Sequence, residues 1–410
     1  MNDLDTTTKF ELIATSTFGL ESVVAAEITK LGYDRIKVET GKVTFRAGAL
    51  GICRSNLWLR VADRVRLKVG EFQAETFDDL FEQTKALPWE NFLTVDACFP
   101  VDGKSIKSKL FSVSDCQAIV KKAIVERIKQ KYQVQWFKED GPRFPVEVAL
   151  LNNIATLTID TSGAGLHKRG YRDLASAAPL KETLAAALIS LSKWQPDIPL
   201  IDPFCGSGTI VLEAAMQGLN IAPGLKREFV AEKWPFLSGE LWQLGREEAL
   251  DLACPARALE IIGTDVDPKA VQLARHHAQA AGVATGVHFQ AQPFASLSTR
   301  KKYGKIICNP PYGERMGEKK QVEALYREMG QVLAKLGTWS YYVITSHPEF
   351  EHLFGQRASK KRKLYNGDIK VDYYQFFGPR PPKTLFRSDD ERGSGELSSH
   401  EAGVGEDTEQ

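Results

Sequence analysis

The chain has only six cysteines, four methionines and seven histidines in 410 residues. The cysteines (Cys53, Cys98, Cys116, Cys205, Cys254, Cys308) are scattered and form no CxxC pair. That argues against a zinc ribbon and a disulfide framework, and for a reducing cytoplasm. The histidines show no HExxH or other ligand spacing, so no metal is expected. His276 and His277 are adjacent, would face different sides of a helix, and read as a solvated face. No apolar run reaches the ~18–20 residues of a membrane span, so no membrane partner is expected. The N-terminal MNDLDTTTKF is polar and lacks the apolar stretch of a secretory signal.

Net charge is also nearly missing: 53 Lys and Arg against 52 Asp and Glu. The balance is uneven along the chain. From Ser388 to Gln410 there are eight acids and one base, net −7, which leaves +8 on the remainder. A moderately basic body with an acidic tail is compatible with a nucleic-acid partner. The tail is rich in Gly, Ser and Glu, and residues 388–410 are expected to be disordered.

What is present points to a mixed α/β fold in several units. Residues 1–65 and 66–165 alternate strand-like and helix-like pieces in an α+β pattern. FELIATS reads as a strand, and RIKVET with KVTFRA as a hairpin around Gly41. Ser114 with Gln117 looks like a capping box opening a helix that carries Lys121, Lys122, Arg127, Lys129 and Lys131. PVEVALLNNIATLTIDT reads as two strands turning at Asn152-Asn153. Over residues 166–387 strands are each followed by a helix, the mark of a doubly wound parallel sheet. KLYNGDIKVDYYQFF closes this unit as a hairpin with Asn366-Gly367 at its turn, and Lys360-Lys361-Arg362-Lys363 is placed before it.

Three strand ends carry the chemistry, and ligands in such sheets bind at strand carboxyl ends. DPFCGSGT (Asp202–Thr209) runs from a strand through a glycine turn into a helix. Glycines let main chain approach a ligand, and a helix N-terminus offers free N–H groups to an anion. Taken alone, this turn equally fits a plain strand–helix corner. No GKS or GKT follows, so it is not a P-loop, and the full GxGxxG is absent. Asp265, at the end of the next strand, is placed to accept both hydrogen bonds of a ribose diol. Asp267 reads as the cap of a helix opened by Pro268. The long segment between Gly208 and Asp265 must be an insertion with its own helix. A nucleoside with a charged end and no diphosphate fits, and S-adenosylmethionine is such a ligand, with Asp202 and the glycine turn at its amino-acid end.

Asn309-Pro310-Pro311-Tyr312 follows the apolar strand KIIC. The exocyclic amine of a nucleobase is a poor nucleophile because its lone pair is delocalised into the ring. Two acceptors gripping its N–H bonds would turn that lone pair toward a methyl group. The Asn309 side-chain oxygen and the Pro310 carbonyl are the candidates. The prolines stiffen the loop and add no competing donor. Tyr312 can stack on a base turned out of its helix.

With SGAGLHKRGYR (Ser162–Arg172), APLKETLAAAL (Ala178–Leu188), DPFCGSGT and NPPYGER (Asn309–Arg315), the sequence resembles the THUMP-domain RNA guanine-N2 methyltransferases. Within that family it is most similar to the bacterial enzymes that modify 23S ribosomal RNA. The resemblance implies a ferredoxin-like unit, a THUMP RNA-binding domain and a Rossmann-like class I methyltransferase domain, in the cytoplasm. It implies S-adenosyl-L-methionine as cofactor and RNA as partner, 23S rRNA or a pre-ribosomal particle, with tRNA as the alternative. The candidate donor-binding residues are Asp202, Phe204, Gly206, Gly208, Thr209, Asp265 and Gln292. Gln292 stands beside Pro293, where class I enzymes often have an acid. Asn309, Pro310 and Tyr312 are the catalytic candidates. Lys121, Lys122, Lys129, Lys131, Arg169 and Arg172 are the RNA-binding candidates, and His167 lies in the same HKRGYR segment. DNA adenine methylation and a non-catalytic RNA-binding assembly factor are the competing readings.

Overall fold

The computed structural model describes residues 8–172, 180–313 and 319–382. The acidic tail, the first two residues of APLKETLAAAL, and Glu314 and Arg315 of the last motif lie outside the described residues.

The first half builds one continuous sheet. Its elements are β1 (Phe10–Thr15), α1 (Glu21–Lys30), β2 (Arg35–Glu39), β3 (Lys42–Ala47), α2 (Ala49–Trp58), β4 (Arg64–Gln73), α3 (Phe77–Ala86), β5 (Val101–Ile106), α4 (Val113–Tyr132), β6 (Val146–Leu151) and β7 (Ile154–Asp160). The strand order is β2-β3-β1-β4-β7-β6-β5. β4 is long enough to pair with β1 through its first residues and with β7 through the rest. The expected junction at residues 65 and 66 therefore falls inside a shared strand. Asn152 and Asn153 take φ of 51° and 63°, the left-handed conformation a tight hairpin turn requires.

One local reading changes. α4 begins at Val113 after Ser112, with no side-chain cap bond, so Ser114 sits inside the helix and opens no capping box. The capping box occurs instead at α3, between Thr76 and Asp79.

The second half contains α5 (Glu182–Ser192), β8 (Leu200–Asp202), α6 (Thr209–Gly218), α7 (Gly239–Asp251), β9 (Ile261–Asp265), α8 (Pro268–Ala281), β10 (His288–Ala291), β11 (Lys305–Cys308), α9 (Lys319–Ala334), β12 (Ser340–Thr345), α10 (Phe350–Phe354), β13 (Lys360–Asn366) and β14 (Ile369–Phe376). The order is β10-β9-β8-β11-β12-β14-β13. β8 to β12 run parallel, and β14 and β13 are antiparallel. The chain reverses its direction of growth between β8 and β11, which opens a crevice at their carboxyl ends. Lys360–Lys363 form the first strand of the terminal hairpin rather than a segment before it.

The two halves are locked together. The inserted α7 packs against α2, with Arg54 bound to Glu248 at 2.6 Å. Arg169, 3% exposed, grips Glu213 of α6 through Nε at 3.1 Å and Nη2 at 3.2 Å, and also donates to the Arg60 and Leu166 carbonyls. Arg227 of the insertion donates to the Ala164, Gly165 and Lys168 carbonyls in the connecting segment. Breaking one partner of a buried ion pair costs about 3–5 kcal/mol, so this seam resists opening.

Candidate active site

Three strand ends enclose a cavity of about 370 Å³ at the carboxyl edge of the second sheet. A larger hollow of about 520 Å³ lies elsewhere, against β1 and β4 of the first sheet, lined by Phe10, Lys68 and Phe92. Only the first sits at the topological switch point where such sheets bind ligands.

β8 delivers Asp202 to this cavity, and the turn through Gly206 and Gly208 leads into α6. Gly206 has φ +51°, and a Cβ there would meet nothing within 4 Å, so it leaves bare backbone at the cavity. Gly208 has φ +88°, and a Cβ there would meet Ala274 at 3.1 Å and Phe289 at 3.3 Å. Its task is the left-handed entry to α6 and the close approach of α8.

Asp202 is 1% exposed, and its Oδ1 accepts the Phe204 N–H at 3.1 Å. Burial pushes its pKa up to about 8, against the pull of that amide and with a contribution from Asp265. Among the described residues this buried carboxyl has no basic partner, which suits a ligand that brings a positive charge. Asp265 cross-ties two strand ends: its Oδ2 accepts the Gly206 N–H at 2.9 Å and its Oδ1 the Asp267 N–H at 3.0 Å. Each oxygen keeps a further lone pair for a hydroxyl. Asp267 caps α8 through the Lys269 N–H at 2.9 Å, as its position before Pro268 predicts, and it also lines the cavity.

His277 does not belong to a solvated face. It is fully buried, with Nδ1 3.2 Å from the Ser207 carbonyl, and so props the glycine turn from α8. The sequence signal was weak, because one helical turn places His277 among Val271, Ala274 and Ala278.

β11 delivers Asn309 to the cavity. The Tyr312 hydroxyl donates to Asn309 Oδ1 at 2.5 Å. Pro310 is buried, and the Pro311 carbonyl accepts from the Tyr326 hydroxyl at 2.7 Å. Tyr326 also shares a hydrogen bond with Thr345 at 2.8 Å, and its burial pushes the phenol pKa up. Sequence reading missed Tyr326, since it lies on the apolar stripe of α9 with Val322 and Met329.

The other candidates separate. Thr209 lines the cavity and accepts from Arg172 Nη2 at 2.6 Å. Arg172 also pairs with Glu182 at 3.0 Å, which places it beside the donor crevice rather than on an outer surface. Arg169 is buried in the seam described above, with no route to an RNA chain. His167 is half-buried, and desolvation together with Lys181 and other cations pushes its pKa down to about 4. Phe204 stacks on Phe294, ring centres 5.0 Å apart. Gln292 holds the Asp265 carbonyl through its main-chain N–H at 2.9 Å, and its side chain is not among the cavity walls. On α4, Lys121 pairs with Glu139 at 2.9 Å, and Lys131 lies 4.0 Å from Glu90, which Arg127 already holds. Lys122 lies over the Phe81 ring, and Lys129 is partly exposed.

Residues 11–66 match the RlmL ferredoxin-like domain, 74–160 the THUMP domain, and 169–375 the RMKL-like methyltransferase domain. The chain belongs to the RMKL-like methyltransferase family. A Bacillus subtilis relative named "Putative RNA methyltransferase YpsC" is 50% identical over 377 residues, 92% of this chain and 98% of its own length. A crystal structure from Listeria monocytogenes, described as a "predicted N6-adenine-specific DNA methylase", is 52% identical with a TM-score of 0.87, covering 91% of this chain and 97% of that one. SMU.472, described as "a putative methyltransferase complexed with SAH", is 46% identical with a TM-score of 0.87, covering 91% and 99%. The enzyme is an S-adenosylmethionine-dependent methyltransferase that carries a THUMP domain. Its cavity fits that cofactor on structural grounds: the buried Asp202 suits an ammonium, and the bare Gly206 backbone leaves room beside it.

Proposed function

We propose that the enzyme methylates the exocyclic N2 amine of a guanine in 23S rRNA. The observation that carries this reading is Asn309, whose side-chain amide stands at the donor cavity, is followed by two rigid prolines and accepts from the Tyr312 hydroxyl. When bound, S-adenosylmethionine supplies an electrophilic methyl group on sulfur. Asp202 neutralises the ammonium of the donor's amino-acid end. Asp265 accepts from its ribose, Phe204, Gly206 and Thr209 shape the floor, and Gly208 sets the turn into α6. Asn309 Oδ1 and the Pro310 carbonyl accept from the two N–H bonds of the target amine, which directs its lone pair toward the methyl. Tyr312 covers the extruded base. The methylated nitrogen then loses its proton to water, so the site works through position and electrostatics without a general base.

A tRNA guanine is the alternative target, since a THUMP domain and the same tetrapeptide suit either RNA. The THUMP domain favours RNA over the DNA named for the Listeria protein. Six unpaired thiols among the described residues fit a reducing cytoplasm. Mass mapping of modified guanines in rRNA and tRNA from a deletion strain decides between them. Loss of one N2-methylguanine from 23S rRNA is expected. An unchanged 23S profile with a lost tRNA guanine modification selects the alternative target, and loss of neither rejects the reading.

A further inference from the structure

The last antiparallel pair between β12 and β14 joins Thr345 to Asp372, but the β13–β14 ladder continues to Asn366 and Ile369. Three residues at about 3.3 Å each carry the hairpin roughly 10 Å beyond the end of β12. This is the edge where Asn309 and Asp202 end their own strands. The overhang has two faces. Leu364 and Val371 point into the core. Tyr365 and Lys370 pair directly and share the other face with Lys363, two residues back.

Lys363 and Lys370 are exposed, and among the described residues neither has a carboxylate partner; Lys361, one step further along that face, is held by Asp372 at 3.1 Å. Asp368 in the turn is the remaining acid of the hairpin. Phe18 reaches this face from the other half of the molecule, half exposed, its ring edge-on to Tyr365 at 6.0 Å. The approach is built in. Arg362 donates to the Gly19 carbonyl at 2.6 Å and to Ser22 at 3.2 Å. Gly19 takes φ +88°, and a Cβ there would meet the Lys363 carbonyl at 3.1 Å.

We propose that Phe18, Tyr365, Lys363 and Lys370 form a track for the single-stranded RNA flanking the target nucleotide. Phosphates lie on the two lysines and a neighbouring base lies against the exposed Phe18 ring. Cations without partners beside an exposed aromatic ring are the chemistry that holds a single strand. Much of the charge on α4 is already neutralised by Glu90 and Glu139, so the hairpin offers the less encumbered positive surface. The ferredoxin-like unit thereby contributes a residue to the RNA path at the catalytic edge. This inference rests on the RNA methyltransferase reading.

The test is binding of a short fluorescein-labelled single-stranded RNA to the full chain, by anisotropy over a salt series. Calorimetry with S-adenosylhomocysteine is run on every variant. Lys363→Gln with Lys370→Gln should make the slope of log affinity against log salt shallower by about 1.4. Phe18→Ala should weaken binding about tenfold with the slope unchanged. S-adenosylhomocysteine affinity should stay at the wild-type value throughout. RNA affinity and slope unchanged in both variants would overturn the track and leave the methyltransferase reading intact. Loss of S-adenosylhomocysteine binding together with RNA binding would assign these residues a structural role and overturn it equally. A wild-type chain that binds no RNA would overturn both.

Discussion

The Tyr312 hydroxyl donates to the Asn309 side-chain oxygen at 2.5 Å. The acceptor proposed for the target amine is thus held in place before substrate arrives, and its second lone pair is open to an N–H of the base. Asn309→Ala is expected to lower turnover about 10²–10³-fold, the usual loss when one positioned transition-state partner is removed. Donor affinity should be unchanged. Tyr312→Phe keeps the ring and frees the acceptor, so turnover should fall far less than in Tyr312→Ala. Single-turnover methyl transfer with calorimetric donor binding checks both. Equal losses for the two tyrosine variants would show that the hydroxyl, not the ring, carries the effect.

Asp202 predicts a pH dependence of two signs. Its pKa is raised from 3.8 to about 8 by burial. Between those values the folded state holds a proton that the unfolded state has released. Stability of the ligand-free protein therefore falls as pH rises through that window. Asp202→Asn should flatten this slope in thermal melts. Donor binding runs the other way, because the ammonium needs the ionised acid. S-adenosylhomocysteine affinity should rise with pH up to about 8 in the wild type, with proton release seen as a buffer-dependent binding heat. Asp202→Asn should bind weakly and without that dependence. A wild-type affinity flat from pH 6 to 8 would count against the ammonium contact.

Arg169 and Arg172 are three residues apart and do different work. Arg169→Ala leaves Glu213 buried and unpaired, and should cost about 3–5 kcal/mol of stability in denaturant unfolding. Arg172 acts on the crevice wall through Thr209 and Glu182. Arg172→Gln should weaken S-adenosylhomocysteine about tenfold, the scale of one hydrogen bond to a charged group. Affinity for 5′-methylthioadenosine, which lacks the amino-acid end, should hold. Equal weakening of both ligands would mean that Arg172 supports the fold and does not shape the amino-acid subsite.

Legibility in the sequence followed locality. Asp202, Gly206, Gly208 and Asp265 stand in short strand–turn–helix segments whose glycines and caps are dictated by neighbours in the chain, and the structure brings them to one edge. The insertion announced itself by length alone, and α7 is its helix. The terminal hairpin was marked by Asn366-Gly367, but its first strand began earlier than expected because four consecutive cations disguise an edge strand. His277, Tyr326 and Phe18 were not legible. Each is an ordinary apolar-stripe or loop residue until another element meets it.

The amino-acid order by itself determined the α/β alternation, the strand-end motifs and the donor class, because backbone turns and helix caps are local in sequence. Tertiary packing alone decided that Arg169 is a buried tie, that Arg172 faces the crevice wall, and that β4 fuses two units into one sheet. Those outcomes depend on which distant surfaces exclude water together, and burial sets the cost of every charge placed there.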